Sequence, residues 1–331
     1  KGFEFDGTIK TAIGAWSAGG SLNSIRTQDG GVGTKAAFIQ ADSSRKTEIY
    51  DGSSWSECND MINGLVQQEA AGSSTSALVF GGYVPANMAD SEEWNGTNWA
   101  TQTAMPISRS NHAAAGQTDA DSALVFGGGS NAPIAPPSAL DTVEWNGSSW
   151  TTHGSTDLMP YFRNGVGFGS TEAALYSNHT SFNKEWNGTA WSSISNTTFD
   201  HTQGSGGGTV NDGLVFAGSG GGAGQATELY DGTAWTSQGA LSTGRNYLDG
   251  GGTVAGNALA VGGAPGLTSV EEFTTSISSG SFGRVEATTI VGSAANLTNT
   301  TFTGTISSSA QIASYISGSH TSGFEFTGTI S

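Results

Sequence analysis

Tyr50-Asp-Gly-Ser-Ser-Trp55 returns four more times along the chain, as Trp94-Asn-Gly-Thr-Asn-Trp99, Trp145-Asn-Gly-Ser-Ser-Trp150, Trp186-Asn-Gly-Thr-Ala-Trp191 and Tyr230-Asp-Gly-Thr-Ala-Trp235. Asn-Gly and Asp-Gly supply the positive φ angles of a tight hairpin, and the aromatics on either side belong to the strands it joins. From one copy to the next the first aromatic advances by 44, 51, 41 and 44 residues. A period of that size in an all-β pattern predicts a β-propeller, each copy marking one blade.

A sixth, worn copy follows, with Val270-Glu-Glu-Phe273 in the place of Thr227-Glu-Leu-Tyr230 but no glycine turn or tryptophan after it. Near the N-terminus, Gly14-Ala-Trp16-Ser-Ala-Gly-Gly has the look of the segment after each hairpin, yet no hairpin precedes it. The two halves predict one blade, in which Trp16 lies on the outer strand beside Phe273 and the start of the chain closes the ring. Six outer-strand tryptophans result: Trp16, Trp55, Trp99, Trp150, Trp191 and Trp235.

Apolar runs ending in small residues, such as Ala77-Leu-Val-Phe-Gly-Gly82 and Ala123-Leu-Val-Phe-Gly-Gly128, suit a second strand buried on both faces. The expected fold is all-β: a six-bladed propeller over residues 13–276, preceded by an N-terminal β linker (1–12) and followed by a β-rich linker or assembly segment (277–331) with one short helix near 307–316.

The order of motifs, Met105-Pro-Ile-Ser-Arg109, then Leu-Val-Phe-Gly-Gly, then Val-Glu-Trp-Asn-Gly and a tryptophan, resembles the kelch repeat. That resemblance is specific for fold and says little about activity, because propellers host enzymes, adhesins and scaffolds alike.

Composition narrows the function classes. With 28 acidic and 11 basic residues the formal charge is −17, which repels nucleic acid and anionic bilayers. No apolar stretch has the length of a membrane span. The single cysteine, Cys58, excludes an internal disulfide and a cysteine-rich metal site. The five histidines, His112, His153, His179, His201 and His320, show no ligand spacing, and no nucleophile is paired with a base, so the reading is a non-enzyme with no cofactor and no metal. The missing initiator methionine is what a processed or truncated piece would show.

The flanks echo each other: Gly2-Phe-Glu-Phe-x-Gly-Thr-Ile9 returns as Gly323-Phe-Glu-Phe-x-Gly-Thr-Ile330. Phe3, Phe5 and Ile9, with Phe324, Phe326 and Ile330, alternate with polar residues and are candidates for a joint between copies or tandem modules. The flanking stretches look like the repetitive linkers of structural and fibre-like proteins in marine tailed phages, especially cyanophages. The resemblance implies an extracellular virion-surface component of a fibre, tail or filament. A secreted bacterial kelch-type lectin or adhesin is the alternative, and a polysaccharide-active enzyme would need a buried carboxylate pair that no spacing identifies.

In an up-and-down blade the second-to-third loops share a face with the connections that enter each inner strand. On this loop face Arg26, Arg109, Arg163 and Arg245 stand near the start of the inner strand, with His201 in register with Arg245. They read either as donors that grip carboxylated or sulfated host-surface glycans, or as the kelch-type arginine that bonds neighbouring loop carbonyls.

Overall fold

The computed structural model describes residues 13–275 except 28, 85, 87, 117, 130–140, 154–163 and 181. The flanking calls on Phe3, Phe5, Ile9, Phe324, Phe326 and Ile330, and the helix near 307–316, lie outside the described residues.

Six four-stranded antiparallel sheets follow one another as the blades of a six-bladed β-propeller. Blade one runs from its inner strand Gly30–Thr34 through Ala37–Ala41 and Thr47–Tyr50 to the outer strand Trp55–Cys58. Blades two to five repeat that order over residues 69–102, 113–153, 166–193 and 205–237. Blade six takes three strands from the end of the described chain, Asp249–Gly251, Leu259–Val261 and Val270–Thr274, and its outer strand, Ala15–Ala18, from the start. The register places Trp16 opposite Phe273, as the worn sixth copy predicts.

Each repeat places its two aromatics directly opposite across the third and outer strands: Tyr50 on Trp55, Trp94 on Trp99, Trp145 on Trp150, Trp186 on Trp191 and Tyr230 on Trp235. Ring centroids are 4.9–5.6 Å apart in these five pairs, within the range of favourable aromatic contact. Trp16 and Phe273 form the sixth pair at 5.1 Å.

The turn between them corrects the sequence reading. Four residues, not two, separate the paired aromatics, and in the first copy only Gly52, at φ 91°, is left-handed. The Asp51 carboxylate accepts the amides of Ser53 and Ser54 at 2.9 and 2.8 Å, and Asn95, Asn146, Asn187 and Asp231 do the same in their turns. Asp and Asn are therefore selected as side-chain acceptors, and only the glycine for its backbone.

The outer tryptophans also tie blades together. Every one donates its indole N–H to the preceding blade or the connection leaving it: Trp55 to Gly20 O, Trp150 to Thr103 O and Trp235 to Ser195 O. Trp99, Trp191 and Trp16 instead reach the hydroxyls of Thr47, Thr142 and Thr227. Trp16 thus makes the same bond as its chain-internal counterparts, at 2.9 Å.

Apolar packing runs between blades and not along them. Phe38, Tyr50 and Trp55 of blade one form one buried cluster with Leu259, Val261 and Val270 of blade six, so the ring is closed by core as well as by strand pairing. Removing residues 1–20 strips the outer strand from Phe273 and the acceptor from Trp55. We expect the truncated chain to unfold at clearly lower urea concentration and to self-associate through the exposed edge, and Trp16→Ala alone to cost about 3 kcal/mol. Urea melts and light scattering check this; wild-type values for the deletion contradict the closure.

Candidate functional site

The connection entering each inner strand carries the residues singled out in sequence, and the structure places their polar ends inside the protein. Arg26, Arg109 and Arg245 are 1%, 1% and 3% exposed, and His201 is 0% exposed. Arg245 donates to Gly262 O (3.1 Å), Ser269 O (3.0 Å) and the Glu271 carboxylate (2.6 Å). Arg26 is paired with Asp42 and with Glu48, the latter at 2.5 Å. His201 bonds Ala217 O at 2.7 Å and Glu228 at 3.0 Å. Among the described residues Arg109 has only carbonyls, Gly127 O at 3.3 Å and Asp141 O at 3.1 Å from each terminal nitrogen.

The partner that sequence reasoning missed is the glutamate two residues before the third-strand aromatic. Glu48, Glu228 and Glu271 accept the arginine or histidine and also amides of the connection entering their own blade, those of Asn23, of Thr198 and Phe199, and of Ser242. Glu92 holds the amides of Ile62 and Asn63 at 2.8 and 2.7 Å, but Leu65 stands where the arginine would, and burial pushes its carboxyl up. In blade three the exchange is reversed. Val143 replaces the glutamate, and burial without a carboxylate partner on that strand lowers Arg109 to about 10. The recurring Glu-x-aromatic pattern in the third strands was the available signal.

Backbone joins the same network. The carbonyls of Arg26, Arg109 and Arg245 accept the amides of Gly263, Gly82 and Gly218 from the preceding blade. A Cβ at Gly81 would stand 2.6 Å from His112 Cε1 and 2.8 Å from the Arg109 carbonyl oxygen, and its φ of 65° is left-handed, so the Gly-Gly ending of the second strand is a close-approach requirement. Arg163 lies outside the described residues. Counting from Asn164, which shares its left-handed backbone with Asn111, the residue matching Arg109 is Phe162, so Arg163 is one place out of register in the sequence.

Two residues after each arginine position a second feature appears that the sequence reading did not anticipate. Gln67, Asn111, Asn164, Gln203 and Tyr247 all adopt φ between 50° and 65°. Each of the last four donates its amide to the carbonyl of the one before it, at 2.7–3.2 Å, which makes a belt around the channel mouth on the loop face. Their side chains are half-buried, and four of them are linked: Asn111 Nδ2 to Gln67 Oε1 at 2.9 Å and Gln203 Nε2 to the Tyr247 hydroxyl, with neighbouring Asn246 Nδ2 bonded to Gln203 Oε1 at 3.3 Å.

Below this belt the channel is acidic on one side. Glu69 begins the inner strand of blade two, Asp249 that of blade six, and Asp29 immediately precedes that of blade one, which lies between them. Burial raises Glu69 to about 8 and Asp29 to about 7. Burial, and then the charge of Asp29, hold Asp249 well above the carboxylate range. At the matching strand starts of blades three, four and five stand Ala113, Val166 and Ser205.

Other polar side chains are scattered. His153 pairs with Glu144 and His179 with Asp200, while His112 is buried and burial lowers it to about 3. Cys58 is half-buried against blades one and two, and burial raises it to about 11. Among the described residues no group of three or more His, Cys, Asp or Glu is placed to coordinate a metal directly. No helix among them is long and apolar enough to cross a membrane.

No family model and no curated protein matches the chain. A solved structure described as the structure of YjhT is similar, with a TM-score of 0.62 at 14% identity, and the match covers 76% of this chain and 95% of that one. At that identity the likeness shows the propeller fold alone.

Two outcomes are expected. Arg245→Ala leaves Glu271 buried without its cation and should cost about 3 kcal/mol in urea melts, against under 1 kcal/mol for exposed Lys46→Ala. The channel carboxyls have folded pKa values above their unfolded ones. The folded state therefore keeps protons that the unfolded chain releases from about pH 4 upward. Their contribution is fully present below pH 4 and lost as pH rises through about 7 to 8. Tm should fall between pH 5 and pH 8.5, and Glu69→Gln should flatten that slope; a Tm that rises over this interval contradicts the assignment.

Proposed function

We propose that the chain is a non-enzymatic binding and structural module of a phage-like fibre, tail or surface assembly, working outside the cell on the virion surface, whose loop face engages a host glycan. The observation that carries the binding half is the amide belt: Asn111, Asn164, Gln203 and Tyr247, with Gln67, held at one height around the channel mouth by blade-to-blade backbone bonds. Amide and phenol groups on a rigid backbone can exchange their hydrogen bonds for those of sugar hydroxyls without reordering the chain. The opposite face ends in five four-residue turns whose leading Asp or Asn side chain is spent on the turn's own amides.

The buried guanidinium groups modify the expected ligand. Arg26, Arg109 and Arg245 have their terminal nitrogens on protein acceptors, so in this reading they anchor the connection that enters their own blade, and neutral, hydroxyl-rich glycans are preferred over acidic ones. The chain's charge of −17 works in the same direction. A glycan array should show neutral saccharides with little loss from 50 to 500 mM NaCl, and Asn111→Ala with Gln203→Ala should weaken binding at least tenfold while the fold is kept. Preference for sulfated or carboxylated sugars, weakening with salt, would return the ligand role to the arginines.

The assembly half rests on the echoed Gly-Phe-Glu-Phe-x-Gly-Thr-Ile segments and their resemblance to phage linkers. Serine at Phe324 and Phe326 should leave the propeller folded and shorten or abolish the assembly made by the complete gene product. Particles of normal length in electron micrographs would overturn this half and leave the glycan reading standing.

A further inference from the structure

Five blades join their third and outer strands by a turn, whereas the two strands of blade six come from opposite ends of the propeller sequence and have none. There Ala15 pairs with Thr274, Trp16 with Phe273, Ser17 with Glu272 and Ala18 with Glu271. Matched on the aromatic pair, Gly14 and Thr275 take the places of Ser53 and Gly52, which in blade one are bonded neighbours. The chain therefore enters and leaves the ring at one point, the open end of an antiparallel ladder of four pairs.

That end is tied from both sides to neighbouring blades. The Gly14 amide donates to Gln238 Oε1 at 2.8 Å and its carbonyl accepts the Gly239 amide at 2.9 Å, both from the connection leaving blade five. Across the ladder the Lys35 ammonium, from the first turn of blade one, donates to Phe273 O at 2.9 Å, Thr274 Oγ1 at 2.8 Å and Gly256 O at 2.9 Å. The two strands at the opening are thus anchored to different blades, Ala15–Ala18 to blade five and Val270–Thr274 to blade one. A force that draws Gly14 away from Thr275 loads these ties and the first ladder pair before any other bond of the ring.

We propose that this open end is the ring's weak direction under tension: a pull through residues 13 and 275 unzips Ala15–Ala18 from Val270–Thr274 and opens the propeller, with Lys35 as the latch. In unzipping, the load falls on one pair at a time, whereas a pull along the strands loads all four pairs together. Release of the first strand takes Trp16 from Phe273 and from Thr227, and takes the Gly20 acceptor from Trp55, so the contacts to both neighbouring blades fail with it. Opening then frees roughly 900 Å of extended chain between Ile13 and Thr275. The weak direction belongs to the ring itself, and only its use in a stretched fibre rests on the assembly reading.

The test is single-molecule stretching of the full chain, held through pairs of cysteine handles with Cys58→Ser throughout. Ile13→Cys with Thr275→Cys loads the open end. Ile13→Cys with Thr268→Cys pulls the same two strands along their length, because Thr268 precedes the far end of Val270–Thr274. The first pair of handles should open the ring at about half the force of the second or less. Lys35→Met, which keeps the aliphatic stem and removes the ammonium, should lower the opening force for the first pair and leave the second unchanged. Equal forces in the two directions would overturn the proposal, and that comparison decides it even if Lys35→Met folds poorly. A folded Lys35→Met chain that opens at the wild-type force through the first pair would overturn the role of the latch.

Discussion

Each blade leaves polar groups that only its neighbour can satisfy, and the ring follows from that constraint. The amides of Gly82, Gly218 and Gly263 need the carbonyl of the arginine that opens the next blade. The indoles of Trp16, Trp55, Trp99 and Trp191, buried or partly so, take their acceptor from the blade before or the connection leaving it. Buried polar groups left unpaired cost about 1–3 kcal/mol each, so an open array would carry several such penalties at its two ends. Closure by the N-terminal strand removes them together, because Trp16 supplies blade six with both its strand and its indole bond.

The buried ion pairs act within a blade, holding the connection that enters it against that blade's own third strand. A charged pair in the interior contributes little net stability over an apolar one, but removal of one partner leaves a stranded charge. Blades two and three show how the repeat has tolerated changes. Leu65 removes the cation in one and Val143 the anion in the other, and in each the surviving group keeps its backbone partners: Glu92 on two amides, Arg109 on carbonyls. Anchoring the connection is thus common to both variants, and the ion pair is the replaceable part. The loop face rests on those connections, and in blades one, two, five and six the third-strand glutamate holds the connection in place.

Much of this was legible from the sequence because it is periodic. The aromatic pairs across the hairpin, the double glycine and the separated halves of blade six recur in a fixed order, and each became the element it predicts. The turn was misread because Asp-Gly and Asn-Gly signal a two-residue hairpin only when both residues are left-handed, and here the first uses its side chain instead. The belt was equally periodic, with Gln67, Asn111, Asn164 and Gln203 at matching positions, but amides before a strand look like ordinary turn residues until their backbone bonds are seen. The channel acids had no sequence signal. Asp29 and Asp249 stand at opposite ends of the propeller sequence and become neighbours only when the ring closes.

Native-state hydrogen exchange tests directly whether the propeller is one closed cooperative unit. The account predicts that amides of the strand Ala15–Ala18 open with nearly the same free energy as those of the buried second strands, Ser76–Phe80 and Ala123–Phe126, because releasing the first strand unpairs the whole ring. An N-terminal strand that exchanges orders of magnitude faster than those strands, while they remain fully protected, would contradict it.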